Sequence, residues 1–362
     1  MEPKFLINTI TAWNEPHRAR HQFTFAASGK YKTVFVSLNK TGLPRIRISE
    51  PEPNITLVEP YFPIDYRFRY RLPVINELYQ NWLFPKLKKI YSEITVINFD
   101  FTATQLFKYY SDVVYYCNDE YIGNSKYQSP LIDRYIAGCE RKVASGAVFC
   151  VATANYLSNK LKKYNRNSYE IPLGVSAGKV SAKYVRKSGN SKIVVGFMGV
   201  INKRQFSVEA VDQIAGDPRF LLVLIGPIER SFVRKLKYKD NIRITGVLKG
   251  GELSKELEKL DVGVALYNLK WVKPGTTPNK LWQYLSHGKP AVVSNLPDLK
   301  KMKFPEKSVY ILNEEKDLAA MIDRAVSEDT EELHKLRITF ARQNTWNDRF
   351  KQFMLIYNRH FR

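Results

Sequence analysis

A lysine in the wrong half of a helix is the residue of this chain best placed to do chemistry. The stretch Thr277-Pro278-Asn279-Lys280-Leu281-Trp282-Gln283-Tyr284-Leu285-Ser286-His287-Gly288-Lys289-Pro290, followed by Ala291-Val292-Val293-Ser294, reads as a loop, a short helix and a buried strand. Thr277 is expected to cap the helix and Pro278 to take its first position; Gly288 then stops it and Pro290 prevents continuation. Lys280 falls in the first turn, where a cation opposes the helix dipole, so its natural partner is an anion docked on the free N–H groups. Gln283 lies three residues on, on the same face. A phosphate held here, with Thr277, Asn279, Lys280 and Gln283 around it, explains the segment best; the plain alternative is a solvated lysine on an ordinary α/β helix.

Two strands upstream end in glycine. Val194-Val195-Gly196-Phe197-Met198-Gly199 leads into Ile201-Asn202-Lys203-Arg204, and Leu224-Ile225 leads into Gly226-Pro227. Glycine at a strand's carboxyl end lets a ligand touch the backbone, and Lys203 and Arg204 are suited to phosphate. No G-x-x-x-x-G-K-[ST] loop occurs, and no G-x-G-x-x-G opens a helix after the first strand, which argues against P-loop and dinucleotide-dependent enzymes. There is no D-x-D pair to hold a divalent ion on a diphosphate, so protein cations must neutralise one, Lys280 first among them.

The first half offers carboxylates. In Tyr115-Tyr116-Cys117-Asn118-Asp119-Glu120-Tyr121, acids directly after a strand sit where a general base is needed. Asp119 or Glu120 can take a proton from an acceptor hydroxyl; the alternative is a loop or cap carboxylate. Asn8 to His21 follows the first strand, and Arg18, Arg20 and His21 suit either the acceptor side or a solvated helix start.

These residues need a scaffold, and the chain has the size for one. Its 362 residues suggest two domains of ordinary size, and 44% hydrophobic content marks a well-buried globular protein. Strands and helices alternate, the signature of parallel sheets. Lys4–Thr9, Lys32–Ser37, Thr95–Phe99, Val113–Tyr116 and Ala147–Ala152 read as strands, with helices over residues 18–27, 102–110, 129–145 and 154–164. The pattern breaks near Leu173–Gly189 and resumes with strands at 192–199, 220–226, 242–246, 262–267, 291–294 and 309–311. The domains are therefore placed at residues 1–172 and 192–345, with a linker at 173–191. A last helix, within 346–362, returns to the first domain. Two such domains put a cleft at the carboxyl ends of both sheets.

Composition narrows the class further. Cys117, Cys139 and Cys150 form no C-x-x-C pair and no disulfide framework, which suits reduced cytoplasmic thiols. The five histidines lack ligand spacing, so no metal site is expected. No apolar run approaches the roughly 18–20 residues of a membrane span. The net charge of +22 and pI near 9.7 predict an anionic partner. Tyr61 to Leu72 interleaves aromatics with arginines, and Trp82, Lys86, Lys88 and Lys89 follow on a helix. Rings that prefer the headgroup zone, beside cations drawn to anionic lipid, suit a protein lying on a membrane surface. Single-stranded nucleic acid can use the same groups, as can a merely basic soluble surface.

Together these motifs resemble the GT-B glycosyltransferases of the group 1 type. The likeness rests on Asp261-Val262-Gly263-Val264-Ala265-Leu266-Tyr267 with Pro278-Asn279-Lys280-Leu281-Trp282-Gln283-Tyr284-Leu285, and on Gly288-Lys289-Pro290-Ala291-Val292. The glycine-ended strands, Asn241–Gly246 and Val114–Tyr121 add to it. The resemblance implies two Rossmann-like parallel-sheet domains. The second would bind a nucleotide sugar, with Tyr267 at the nucleotide, and the first the acceptor; no metal or other cofactor is strictly required. Many retaining members carry two glutamates eight positions apart, where this chain has Gly275 and Gln283. The Lys-x-x-Gln arrangement is similar instead to the inverting, membrane-associated glucuronosyltransferase of xanthan synthesis. That likeness implies Lys280 on the donor diphosphate and Asp119 as base. The expected activity is transfer from a nucleotide-diphosphate sugar, expected to be a UDP-sugar, to a lipid-linked saccharide in surface polysaccharide synthesis. The expected place is the cytoplasmic face of the plasma membrane, without a role for nucleic acid. An epimerase or phosphorylase of the same fold, or a nucleic-acid binder, is the alternative.

Overall fold

The computed structural model describes residues 4–69, 71–123, 129–176, 184, 191–202 and 206–361. It divides into two units, Met1–Leu173 with Trp346–Arg362, and Gly174–Thr345. Most of the expected linker, along with Lys203 and Arg204, lies outside the described residues.

In the first unit the order is β1 (Phe5–Asn8), α1 (Ala19–Ser28), β2 (Thr33–Val36), β3 (Lys40–Thr41), β4 (Arg45–Glu52), β5 (Ile55–Phe62), α2 (Tyr66–Arg69), α3 (Pro73–Ile90), β6 (Thr95–Asn98), β7 (Val113–Cys117), α4 (Pro130–Gly146), β8 (Phe149–Ala152), α5 (Asn155–Lys162) and β9 (Ser168–Glu170). They form a nine-stranded sheet in the order β3-β5-β2-β1-β6-β7-β8-β9, with β4 antiparallel on β5. Strands β1, β2, β6, β7 and β8 are buried along their whole length, as parallel strands covered on both faces must be, and so read as continuous apolar runs.

The second unit runs β10 (Ile193–Met198), α6 (Val208–Gly216), β11 (Phe220–Ile225), α7 (Arg230–Val233), β12 (Ile242–Gly246), α8 (Gly250–Glu258), β13 (Val262–Ala265), α9 (Asn279–Ser286), β14 (Ala291–Ser294), β15 (Val309–Leu312), α10 (Leu318–Ser327) and α11 (Glu331–Arg342). Its six parallel strands lie in the order β12-β11-β10-β13-β14-β15. The last helix, α12 (Trp346–His360), belongs to the first unit: Phe353 meets Phe23 at 5.1 Å and Phe5 at 6.2 Å, edge to face. Its apolar stripe fills the helical layer on that sheet.

Three sequence expectations change. The β4–β5 hairpin was not anticipated, although Arg45-Ile46-Arg47-Ile48 alternates and Asn54, at φ 62°, makes the turn. The helix expected over 102–110 is only a 3₁₀ turn at Thr104–Lys108. There the Asp100 carboxylate accepts from Thr102 N–H at 2.8 Å and the Gln80 side chain from Gln105 N–H at 3.0 Å, competing with the α-helical pattern. Finally, α9 starts at Asn279 with extended Pro278 as its cap residue and no side-chain capping bond, so Thr277 does not cap it. The first carbonyl of the helix is that of Pro278, which accepts from Leu281 N–H at 3.1 Å.

Candidate active site

In the second unit, glycines end three adjacent strands. Gly199, Gly226 and Gly246 all adopt positive φ, at 138°, 134° and 73°. Gly226 N–H donates to Gly246 O at 2.7 Å, and Gly199 N–H to Ile225 O at 2.9 Å. A Cβ on Gly226 would stand 2.1 Å from the Gly199 carbonyl oxygen, so only glycine fits there. The result is an open backbone ledge at the carboxyl edge of β10, β11 and β12.

Helix α9 delivers Lys280 to this ledge. Tyr284, one turn further on, anchors it: the buried hydroxyl accepts from Met198 N–H at 2.9 Å and donates to Val264 O at 3.1 Å. A Cβ on Gly263 would meet the Tyr284 ring at 2.3 Å, so this strand position must lack a side chain for α9 to seat. Lys280 Nζ then lies 3.8 Å from the centroid of the Phe197 ring and 5.0 Å from that of Tyr267, and 3.4 Å from where a Gly199 Cβ would stand. No described carboxylate bonds it. Desolvation by the surrounding protein lowers its pKa from 10.5 to about 7. The Phe197 and Tyr267 faces contribute cation–π attraction, which does not replace an anion.

The other expected donor-side residues surround this ammonium in sequence, with different degrees of order. Tyr267 is fixed through its backbone, N–H to Ser294 Oγ at 2.9 Å. Asn279 is exposed, while Thr277 and Gln283 are half-buried, and their side chains bond to no described residue. They are available to a ligand.

In the first unit, the segment after β7 is locked on both sides of one carboxylate. Glu120 is buried; Lys160 Nζ donates to both its oxygens at 3.0 Å and to Glu140 at 2.8 Å. Tyr115 hydroxyl also donates to Glu140, at 3.0 Å. Glu120 is therefore part of a buried ionic network and not a free base. Asp119 is different: its side chain is exposed, and its Oδ1 accepts from Glu120 N–H at 2.9 Å. Its pKa is raised, first by partial desolvation. The Glu120 N–H bond, Arg20 and Arg18 oppose the shift, while the Glu120 charge adds to it. A solvent-facing carboxylate with a raised pKa is a suitable proton acceptor.

The residues after β1 divide similarly. His21 is fully buried; its Nδ1 accepts from Arg18 N–H at 3.1 Å and its other nitrogen meets Ala12 O at 3.2 Å, a helix-capping role. Burial first, then the charge of His17, lower its pKa to about 4, so it is neutral near pH 7. Arg18 is exposed and pairs with Glu15 at 3.3 Å. Arg20 is buried beside Asn118 and Tyr121. Sequence reasoning missed the polar set at the ends of β1 and β6, where Asn8 donates to Asn98 at 2.8 Å and buried Arg69 meets Asp100 at 3.4 Å. Arg69 is thus an internal strut, although the aromatic–arginine run had suggested a surface residue. Among the described residues, no group of three His, Cys, Asp or Glu side chains could hold a metal ion.

Comparisons with known proteins bear on the fold and on the family that the chain is similar to. Residues 192–328 match the family model described as Glycosyl transferases group 1. A glycosyltransferase named for teichuronic acid biosynthesis, TuaH of Bacillus subtilis, is 26% identical over 265 residues. That stretch is 68% of this chain and 66% of the relative, slightly under two thirds of its length. Sucrose-phosphate synthase of Thermosynechococcus elongatus shares the fold with a TM-score of 0.77 at 15% identity, covering 100% of this chain and 99% of its own. The HepE protein of Anabaena, solved in complex with UDP and glucose, aligns with a TM-score of 0.67 at 13% identity, over 99% and 100% of the two chains. A UDP-forming trehalose-phosphate synthase of Burkholderia xenovorans gives 0.71 at 10% identity, over 99% of each.

Proposed function

We propose that this chain, which has the GT-B fold and whose residues 192–328 match the group 1 glycosyltransferase family model, transfers a sugar from a nucleotide diphosphate to a saccharide acceptor. The observation that carries this reading is the Lys280 ammonium, desolvated, without a described carboxylate partner, at the start of α9 beside a glycine ledge. A pyrophosphate there gains the ammonium, the free first-turn amides and the positive end of the helix together. The UDP complex of HepE supports uridine as the nucleotide.

In the reaction, Asp119 accepts the acceptor hydroxyl's proton as that oxygen bonds to the anomeric carbon. The bond from that carbon to the diphosphate breaks, and the electron pair leaves with the nucleotide, whose charge Lys280 and the α9 amides stabilise. One displacement of this kind inverts the anomeric centre. Asn279, Gln283 and Tyr267 complete the donor site, with the glycine ledge against the nucleotide. Protein cations do the neutralising, so a chelator leaves transfer intact.

The acceptor proposed is a lipid-linked saccharide of a surface polysaccharide, reached from the cytoplasmic face of the membrane. The relative named for teichuronic acid biosynthesis supports the polymer class. Phe68, Leu72, Val74 and Leu78 of the α2–α3 region are 46–69% exposed, and a groove near them is lined by Arg45, Trp82, Lys86 and Lys89. Apolar side chains next to uncompensated cations suit an anionic lipid surface. No described helix is long and apolar enough to cross a membrane.

Incubation with a panel of UDP-, GDP- and dTDP-sugars and lipid-linked acceptors, with and without chelator, tests the proposal. Acceptor-dependent release of a nucleoside diphosphate with an inverted glycoside supports it. Isomerisation or phosphorolysis of the sugar in place of transfer refutes it.

A further inference from the structure

Arg20 is a buried cation whose three hydrogen-bond partners are all neutral. The residue is 5% exposed. Its Nη1 donates to Thr11 Oγ1 at 2.6 Å, and its Nη2 donates to Asn118 Oδ1 at 3.2 Å and to the Tyr121 hydroxyl at 3.1 Å. The Tyr121 hydroxyl in turn donates to Asn118 Oδ1 at 2.8 Å, closing a ring. Among the described residues, Nε has no partner and no carboxylate lies within ion-pair distance. A buried guanidinium satisfied only by neutral oxygens is expensive unless its charge has a use.

Its partners show that use. Asn118 and Tyr121 stand on either side of Asp119 and Glu120, and Thr11 ties the same guanidinium to the segment after β1. The rest of the turn is fixed too: Glu120 by Lys160 and by Ile122 N–H at 3.1 Å, Tyr121 by stacking on Phe101 at 4.0 Å. Only the Asp119 side chain is left facing solvent.

We propose that Arg20 is the positioning residue for Asp119: it clamps the turn on both sides and supplies a permanent positive charge to the carboxylate. The proposal rests on Asp119 being the base. The groups acting on that carboxylate are Arg20 and Arg18, which favour its ionised form, and Glu120, whose charge opposes it. Of these, Arg18 is exposed and shared with Glu15, and Glu120 is neutralised in part by Lys160. Arg20 is the buried charge with no carboxylate of its own.

Arg20→Gln and Arg20→Lys test this, read by kcat, donor KM, the pH profile, and carbon NMR titration of the Asp119 carboxyl without substrates. Arg20→Gln should lower kcat about 10–100-fold, as misplacement of a reacting group does. It should leave donor KM unchanged and move the Asp119 titration upward. Arg20→Lys should return the titration toward that of the parent yet keep kcat low, because an ammonium cannot reach Thr11, Asn118 and Tyr121 with one fork. Should both variants unfold, Tyr121→Phe removes the hydroxyl closing the ring and should lower kcat in the same sense; unchanged kcat there overturns the proposal. So do Arg20 variants whose sole change is a lower Tm, with the titration and kcat of the parent. Full turnover in Asp119→Asn removes the base reading, whereas the Asp119 titration in Arg20→Gln judges the clamp separately.

Discussion

Lys280 and Arg20 occupy the same position within their helices and behave oppositely. Each is the second residue of a helix that follows a parallel strand, α9 and α1, and each opposes its helix dipole. Arg20 is locked by three hydrogen bonds, whereas Lys280 makes none with a described residue and rests on ring faces. The residue types match the tasks. An arginine stays charged at any relevant pH and has five donors in a rigid fork, so it can be built in as a fixed charge. A lysine is a single flexible point charge whose pKa follows its surroundings, so it can wait partly discharged and be charged by an arriving anion. In the proposed reaction, one unit thus holds a permanent cation that organises a base; the other holds a responsive cation that takes up a leaving group.

The largest effect should come from removing the proton acceptor. Asp119→Asn is expected to cut kcat by about 10²–10⁴-fold, the range of a positioned general base, with donor affinity retained in equilibrium binding. Lys280→Ala should cut turnover about 10²–10³-fold, as loss of one electrostatic stabiliser does, and weaken binding of the free nucleoside diphosphate as well. If the two variants showed the same pattern in nucleotide binding, the division of labour between the units would fail.

The pH dependence sharpens the contrast. Asp119 serves only when ionised and its pKa is raised, so kcat/KM falls on the acid side at a higher pH than an unperturbed aspartate would give. Lys280 serves only when protonated and titrates at about 7, so kcat/KM also falls above that pH. In the kcat profile the alkaline limb moves upward, because bound diphosphate favours the ammonium. Coincident alkaline limbs in the two profiles would count against contact between Lys280 and the diphosphate.

The smallest effect is on stability. A lysine titrating at 10.5 when unfolded and at about 7 when folded leaves the unfolded chain with more bound protons between those values. It therefore destabilises the fold fully below pH 7, and the penalty disappears as pH rises toward 10.5. Lys280→Met should raise Tm at pH 6 and lose that advantage toward pH 10.5, as melting curves across this range would show. An equal gain at every pH would mean that better packing, not relief of a buried charge, is responsible.

The segment around α9 was more legible in the sequence than the turn after β7, for a physical reason. Lys280, Gln283, Pro278 and Gly288 act through helix geometry over about a dozen residues, and local spacing carries that information. The strand-end glycines at 199 and 226 were readable for the same reason. Glu120 was not: its role depends on Lys160 and Glu140, 40 and 20 residues away, which only folding brings together. Before the contact is seen, Glu120 and Asp119 look alike. Arg69 and Asp100 were hidden in the same way, and Thr277 lost its capping role to a one-residue difference in helix start.

Proton uptake on nucleotide binding tests the central claim most directly. Calorimetric titration of UDP at pH 8, repeated in buffers of different ionisation enthalpy, counts the protons that accompany binding. With Lys280 at about 7 in the free protein, the account predicts uptake approaching one proton in the parent protein and none in Lys280→Met. Binding without uptake, or equal uptake in the variant, would place the diphosphate away from this lysine and contradict it.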